Sequence, residues 1–335
     1  MSEVDKKLTQ RTQPQTFRPG GDQGLVVSCH HLSAEVEAIV RDWFAGRITT
    51  FKPSGDRSVY IAQAGGGYPQ IKIKGAGMRG GAIQFGTYLN SGPVSPLFDY
   101  DGRRMEDVAV GHDGAFVGGA SMQQAVTEWR VTQLVQALGY RAMPCLGYGS
   151  VFDGQHRSWF SVFGWDDTWR DSPKPPMGSL EIFRDLSLQS GEITIKLARD
   201  HGLVGFSWLI RDAEGTAMLK DLHPFRRLDP VNISQVSWVM QVCHALHITA
   251  INTRILSKAW FGEDAPEEAP LWLFASLYPD VTLQDWDRLR FSIVAKYMIN
   301  PHPEFSTEAL LDLLEGNPIT ARLMAVCPPE FVPVR

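Results

Sequence analysis

Ile71–Gly77 reads IKIKGAG, and the ten residues before it, Ile61 to Gln70, read IAQAGGGYPQ. An apolar run ending at Ala62 meets the glycine triplet Gly65, Gly66 and Gly67 and then alternating Ile and Lys. That pattern predicts a strand, a tight glycine turn and a second strand. Side chains alternate between the two faces of a strand, so Ile71 and Ile73 share one face and Lys72 and Lys74 the other. Two lysines then point the same way beside a glycine loop.

About fifty residues on, Ser121 and Gln124 have the spacing of a capping box and Gly139 follows the last periodic residue, which predicts a helix over Met122–Leu138. Val131, Leu134, Val135 and Leu138 form its apolar stripe. Glu128 stands three residues before Val131 and seven before Val135, so an acid lies on the buried face. A carboxylate there is costly unless paired, and a strand lysine is the natural partner. The plainer alternative is that Glu128 sits at the edge of the stripe and reaches solvent.

A lysine in a K-G-x-G strand end, a helix containing TEWR (Thr127 to Arg130), and then LGYRAMP (Leu138 to Pro144) together resemble the selenoprotein O (SelO) family, whose members have a protein-kinase-like fold. The resemblance implies an α+β, two-lobed chain with a small β-rich N-lobe holding one key helix and a larger, mainly helical C-lobe. Lys74 and Glu128 match the lysine and glutamate whose ion pair holds ATP phosphates in such folds. The match is best over Ile71–Gly77 and Gly119–Gly149. Between them the family's P-x-S-R segment is missing, and Met78–Gly118 reads as an insertion. Gly65, Gly66 and Gly67, as cover for the nucleotide, and Lys72 are the further candidates for ATP contact. Scattered glycines more often mark turns, and the chain has neither G-x-x-x-x-G-K-[ST] nor a G-x-G-x-x-G between strand and helix.

The second informative stretch is DHGLVGFSWLIRDAEGTAMLKDLHPF, from Asp200 to Phe225. WLIRD and TAMLKD read as two short strands joined by a turn at Asp212 to Gly215. By resemblance His201 and Gly202 open the catalytic loop, and Asp221 falls where an aspartate carries the Mg²⁺ or Mn²⁺ that bridges the phosphates. The loop itself departs from the family, where it reads roughly HGVMNTDNMSI. Here HGLVGFSWLI is one residue shorter, and Phe206, Ser207 or Trp208 takes the places of both polar groups. A general base contributes roughly 10²- to 10⁴-fold; Asp200 and His201 are the nearest catalytic replacements. The plain alternative for Asp221 is an exposed acid at a strand end.

At 335 residues, 44% hydrophobic and 21% charged, the chain can bury a large core. A net charge of −5 and a pI near 6.0 argue against nucleic acid as the main partner. Four widely spaced cysteines without a C-x-x-C pair suggest neither a zinc site nor a disulfide framework. With no apolar run of about 18 residues and no apolar core in MSEVDKKLTQ, no membrane partner is expected and a cytoplasmic location is. Residues 1–24 are expected as a loose tail, 25–172 as the N-lobe with a glycine-rich insertion, and 173–335 as the C-lobe, joined through DSPKPPMG, Asp171 to Gly178. Ser33 caps an expected docking helix containing Val36, Ile39, Val40, Trp43 and Phe44. His112 with Asp113, and His244 with His247, are metal-capable spacings more simply read as surface and core residues.

The leading expectation is an ATP-dependent transferase that passes AMP, as the SelO resemblance implies, or phosphate to a hydroxyl of a protein or small molecule. The alternatives are a nucleotide-binding pseudokinase acting as a partner-binding protein, and an ATP-dependent ligase that adenylates a carboxylate and forms an amide. The last follows from a weaker similarity of the His-Gly, RD and LKD segments to siderophore synthetases, whose HGQN motif is incomplete here.

Overall fold

The computed structural model describes residues 25–48, 50–54, 58–76, 120–152, 157–171, 180–205 and 207–231, parts of 233–249, residue 272, and residues 275–293 and 316–331. The fold is mixed α+β. Its described residues fall into two compact units, one ending at Trp169 and one beginning at Arg170.

The first unit is built on a six-stranded antiparallel sheet. The strands are β1 (Val26–His30), β2 (Lys52–Ser54), β3 (Ser58–Ile61), β4 (Gln70–Lys74), β5 (Cys145–Phe152) and β6 (Arg157–Trp165), in the spatial order β1-β5-β6-β4-β3-β2. The expected strand, glycine turn and strand are β3 and β4, paired from Ile61↔Ile71 to Ser58↔Lys74. A further strand, β2, precedes β3 in a short meander that the sequence pattern does not predict. Strand β1, which pairs with β5 at the opposite edge, was not expected at all.

The alternation of β4 sorts the two sides of the sheet. Ile71 and Ile73 join Val59, Ile61, Val151, Phe160 and Val162 on one side. Helix α1 (Ala34–Phe44) lies on that side, capped by Ser33 as its sequence predicts, and contributes Val36, Ile39, Val40, Trp43 and Phe44 to the same core. Each such fully buried side chain stabilises the fold by about 1.5–3 kcal/mol. Lys72 and Lys74 take the other side. Helix α2 (Met122–Ala137) packs on β5 and β6.

Helix α2 begins as its sequence predicts, with both halves of the Ser121/Gln124 capping box formed, and ends one residue earlier than expected. Gly139 follows with φ +86°, the left-handed geometry that closes a helix. Gln133 and Gln136 donate from their side chains to the carbonyls of Cys145 and Ala142, at 3.2 Å each, fixing the helix against the chain that enters β5.

The second unit opens with β7 (Arg170–Asp171) and helix α3 (Leu180–His201). Strands β8 (Leu203–Val204), β9 (Trp208–Arg211), β10 (Ala217–Lys220) and β11 (Arg226–Arg227) make two small sheets, β10-β9-β7 and β11-β8. The β9–β10 hairpin and its turn fall where the sequence places them. Asp212 closes the turn by accepting from the Thr216 amide at 2.7 Å. Helix α4 (Leu283–Ile293), helix α5 (Pro318–Ala325) and residues of the 235–249 region pack with α3 around Ile195, Trp238, Val242, Leu246, Trp286, Leu289, Ile319 and Leu323. The sequence pattern predicts helices over Leu283 to Ile299 and Glu308 to Leu314; residues 294–299 and 308–314 lie outside the described residues. Among the described residues no helix is long and apolar enough to cross a membrane.

Candidate functional site

The ammonium of Lys74 lies 2.9 Å from a carboxylate oxygen of Glu128. The two side chains are 12% and 2% exposed. Lys74 is the last residue of β4, flanked by Ser58 on β3 and Ser161 on β6, both buried. One transverse row of the sheet therefore runs Ser58, Lys74, Ser161, Tyr148, His30 on the face opposite the Ile71 core. Glu128 belongs to the buried line Ala125, Glu128, Val131, Thr132 and Val135 of α2, so the acid is on the packed face and not at its edge. Removing two charges from water costs several kcal/mol per ion before their attraction returns any of it. The pair is thus a poor stabiliser and a good way to hold an ammonium in a fixed place.

The chain leaves β4 at a place where only glycine fits. Gly75 has φ +89°, and a Cβ there would stand 2.6 Å from the carbonyl oxygen of Trp159. Trp159 in turn exchanges both backbone hydrogen bonds with Ala120, at 2.8 and 3.0 Å. Ala76 is buried and its carbonyl accepts from Trp43 Nε1 at 3.0 Å. The chain on either side of residues 77–119, which hold the expected insertion, is therefore anchored beside Lys74. The candidates His112 and Asp113 fall within 77–119, and they and His244 and His247 lie outside the described residues.

Lys72 shares the face of Lys74 but has a different setting. It is buried with its Nζ 5.3 Å from the ring centre of Tyr60 and 5.9 Å from that of Trp165, a cation over two aromatic faces. The glycine triplet is not brought to Lys74. Gly65 bridges Tyr68, Gly66 donates its amide to Glu35 at 3.3 Å, and a Cβ on Gly65 would meet Val36 at 3.1 Å and Ile39 at 3.2 Å. The turn packs on α1 at the Gln70 end of β4, about 13 Å along the strand from Lys74 at about 3.3 Å per residue. Gly65 and Gly66 serve that packing, while Gly67, like Gly66, lies in the left-handed region with open space at its Cβ position.

Cys145, at the start of β5, was not singled out by the sequence. Its buried thiol is pushed well above the usual range, first by burial and then by the charge of Glu128, with Lys74 opposing. The thiolate is the reactive form, so iodoacetamide is expected to leave Cys145 unmodified in the folded protein and to label it once urea unfolds the chain. Peptide mass spectrometry checks this, and labelling under native conditions contradicts the burial.

In the second unit Asp221 follows β10 with φ +59°, a left-handed backbone rare for a residue with a side chain. Its neighbour Lys220 is fastened by Ser207, whose Oγ donates to the Lys220 carbonyl at 3.0 Å and accepts from the Lys220 amide at 3.2 Å. Ser190 of α3 donates to the Ser207 carbonyl at 3.3 Å. Beyond Asp221, Leu222 and Phe225 are buried, and buried Arg226 donates to the carbonyls of His223 and Phe225. The ligand-capable atoms of Asp221 and His223 lie within 4.8 Å of each other. His223 was missed, although an Asp-x-His in a turn was there to be read.

Asp200 and His201, the expected catalytic replacements, form the last turn of α3, and the chain leaves the helix at Gly202, φ +61°. Asp200 is held by its neighbour Arg199, at 2.5 and 3.0 Å, and its charge is felt at Tyr278, whose phenol burial pushes up to about 12. That carboxylate is exposed and both of its oxygens accept from the one guanidinium.

Comparison of the chain with family models and with curated protein sequences finds no match. The chemistry of the two sites therefore rests on their own residues: a nearly dry ammonium–carboxylate pair in one unit, and a strained aspartate beside an imidazole in the other.

Proposed function

We propose that the chain is an ATP-dependent transferase of protein-kinase-like fold that passes AMP or phosphate to a hydroxyl of a protein or small molecule in the cytosol. The observation that carries this is the 2.9 Å pair of Lys74 and Glu128, sunk in a sheet–helix interface where it does little for stability. Glu128 fixes the direction of the ammonium, and a triphosphate is the anion whose charge suits it. Lys74 ends the third strand of the β2-β3-β4 meander and Glu128 lies on the helix that follows, the order that kinase-like folds use. Asp221 offers the hard carboxylate oxygen that Mg²⁺ or Mn²⁺ takes, and the cation supplies neutralisation of phosphate charge. Four free cysteines are in keeping with a reducing compartment.

The test uses ATP labelled at the α- or the γ-phosphorus, with Mg²⁺ or Mn²⁺ and the full chain. Incorporation of the α label into the protein or an added hydroxyl acceptor means AMP transfer, and of the γ label phosphate transfer. If neither label moves and ATP does not raise Tm, the proposal fails. A binding-only reading, a pseudokinase, is favoured by one observation: Ser207, where the family loop carries its polar groups, spends its hydroxyl on the backbone of Lys220. A Tm raised by ATP without turnover identifies that case.

A further inference from the structure

Asp221 and His223 flank buried Leu222, and both are half-buried with their ligand-capable atoms within 4.8 Å. The turn that presents them is tied down on each side. Ser207 holds both backbone groups of Lys220 before it, and Phe225 N donates to Leu222 O at 3.1 Å within it. Arg226 closes it through the carbonyl of His223 itself. Gly205 makes room for Phe225, since a Cβ there would lie 2.6 Å from that ring. Asp221 keeps a left-handed backbone, φ +59°, that glycine would adopt without strain. A carboxylate and an imidazole on so well-fixed a turn are two ligands of different softness brought close together. A cation about 2.1 Å from each of two adjacent donors keeps them about 3 Å apart, and the ligand-capable atoms of Asp221 and His223 lie within 4.8 Å.

We propose that His223 ligates the same divalent cation as Asp221, so that this protein takes a transition ion such as Mn²⁺ in preference to Mg²⁺. This rests on Asp221 being the cation carrier of the proposed function and adds the choice of metal. The physical reason is ligand chemistry. Mg²⁺ demands oxygen donors and sheds water reluctantly, whereas an imidazole nitrogen strengthens binding of first-row transition ions.

The test is Mn²⁺ bound to the full chain without nucleotide, read by pulsed electron paramagnetic resonance. Directly bonded nitrogen is expected to modulate the echo, and His223→Ala is expected to remove that modulation. Calorimetry should show His223→Ala weakening Mn²⁺ by at least about tenfold while leaving Mg²⁺ within about twofold, and Asp221→Asn weakening both. Absence of nitrogen modulation in the unaltered protein overturns the inference, and this outcome does not depend on whether a variant folds. An equal loss of Mn²⁺ and Mg²⁺ affinity on His223→Ala overturns it too. ATP binding measured on the same samples separates the two levels. Nitrogen modulation without ATP affinity supports the cation site and sinks the nucleotide reading. ATP affinity without nitrogen modulation sinks the role of His223 alone.

Discussion

Lys74→Met is expected to destabilise the protein by about 3–5 kcal/mol, because it leaves the carboxylate of Glu128 buried without its 2.9 Å partner. Little of that loss reports what the pair itself is worth, since a buried ion pair replaced whole by apolar groups of similar size is often neutral or stabilising. The double variant Lys74→Met, Glu128→Leu is therefore expected to recover most or all of the loss. Urea unfolding with unchanged slope would show both effects as shifts of midpoint. Nucleotide affinity should behave differently. If Lys74 holds phosphate, ATP binding is absent from the single and the double variant alike, so the stable double variant separates folding from function. A double variant as unstable as the single one would contradict the account of the pair. A stable double variant that still binds ATP as the unaltered protein does would remove Lys74 from the proposed site.

The pair was legible in the sequence because two short-range signals converge on it. Strict alternation in IKIK puts Lys74 on the face away from Ile71 and Ile73, and the Ser121/Gln124 box sets the phase of α2 so that Glu128 falls on its packed line. What lay outside local pattern was missed. Strand β1 is stabilised by pairing Val26↔Phe152 through His30↔Tyr148, with partners more than a hundred residues away, and nothing near it in sequence announces that. Strand β2 spans only Lys52–Ser54 and contains a proline, so its propensity is poor and the neighbouring β3 specifies it. The glycine triplet shows another limit, since a composition that suits a phosphate cradle equally suits a turn crowded by Val36 and Ile39, and only packing distinguishes them. The resemblance places the opening of the loop at His201 and Gly202 but does not show that a long helix runs through Asp200 up to His201. Gly202, with its left-handed backbone, is the ordinary stop signal just past a helix and placed the boundary correctly.

Gly75→Ala is the second large effect expected, and its size can be divided by a control within the same chain. The substitution meets two penalties. One is conformational, since a residue with a Cβ is forced to φ +89°, at about 1–2 kcal/mol. The other is steric: the new Cβ would lie 2.6 Å from Trp159 O, 3.1 Å from Phe160 Cα and 3.3 Å from Ala120 N, all backbone atoms that cannot rotate away. Crowding of that kind costs about 1–3 kcal/mol, so the total is about 2–5 kcal/mol. Gly67 has nearly the same backbone, φ +85°, and nothing within 4 Å of its Cβ position. Gly67→Ala therefore carries the conformational cost alone, and the difference between the two variants measures the close approach. The steric part has a further consequence, because β6 cannot recede from Gly75 without disturbing the Lys74↔Ser161 register one residue away. Gly75→Ala is then expected to weaken ATP binding as well as stability, and to speed exchange of the Trp159 and Ala120 amides, while Gly67→Ala does neither. Equal destabilisation by the two substitutions, with the exchange of those amides unchanged, would mean that the chain beside Lys74 is not closed as tightly as its backbone contacts require.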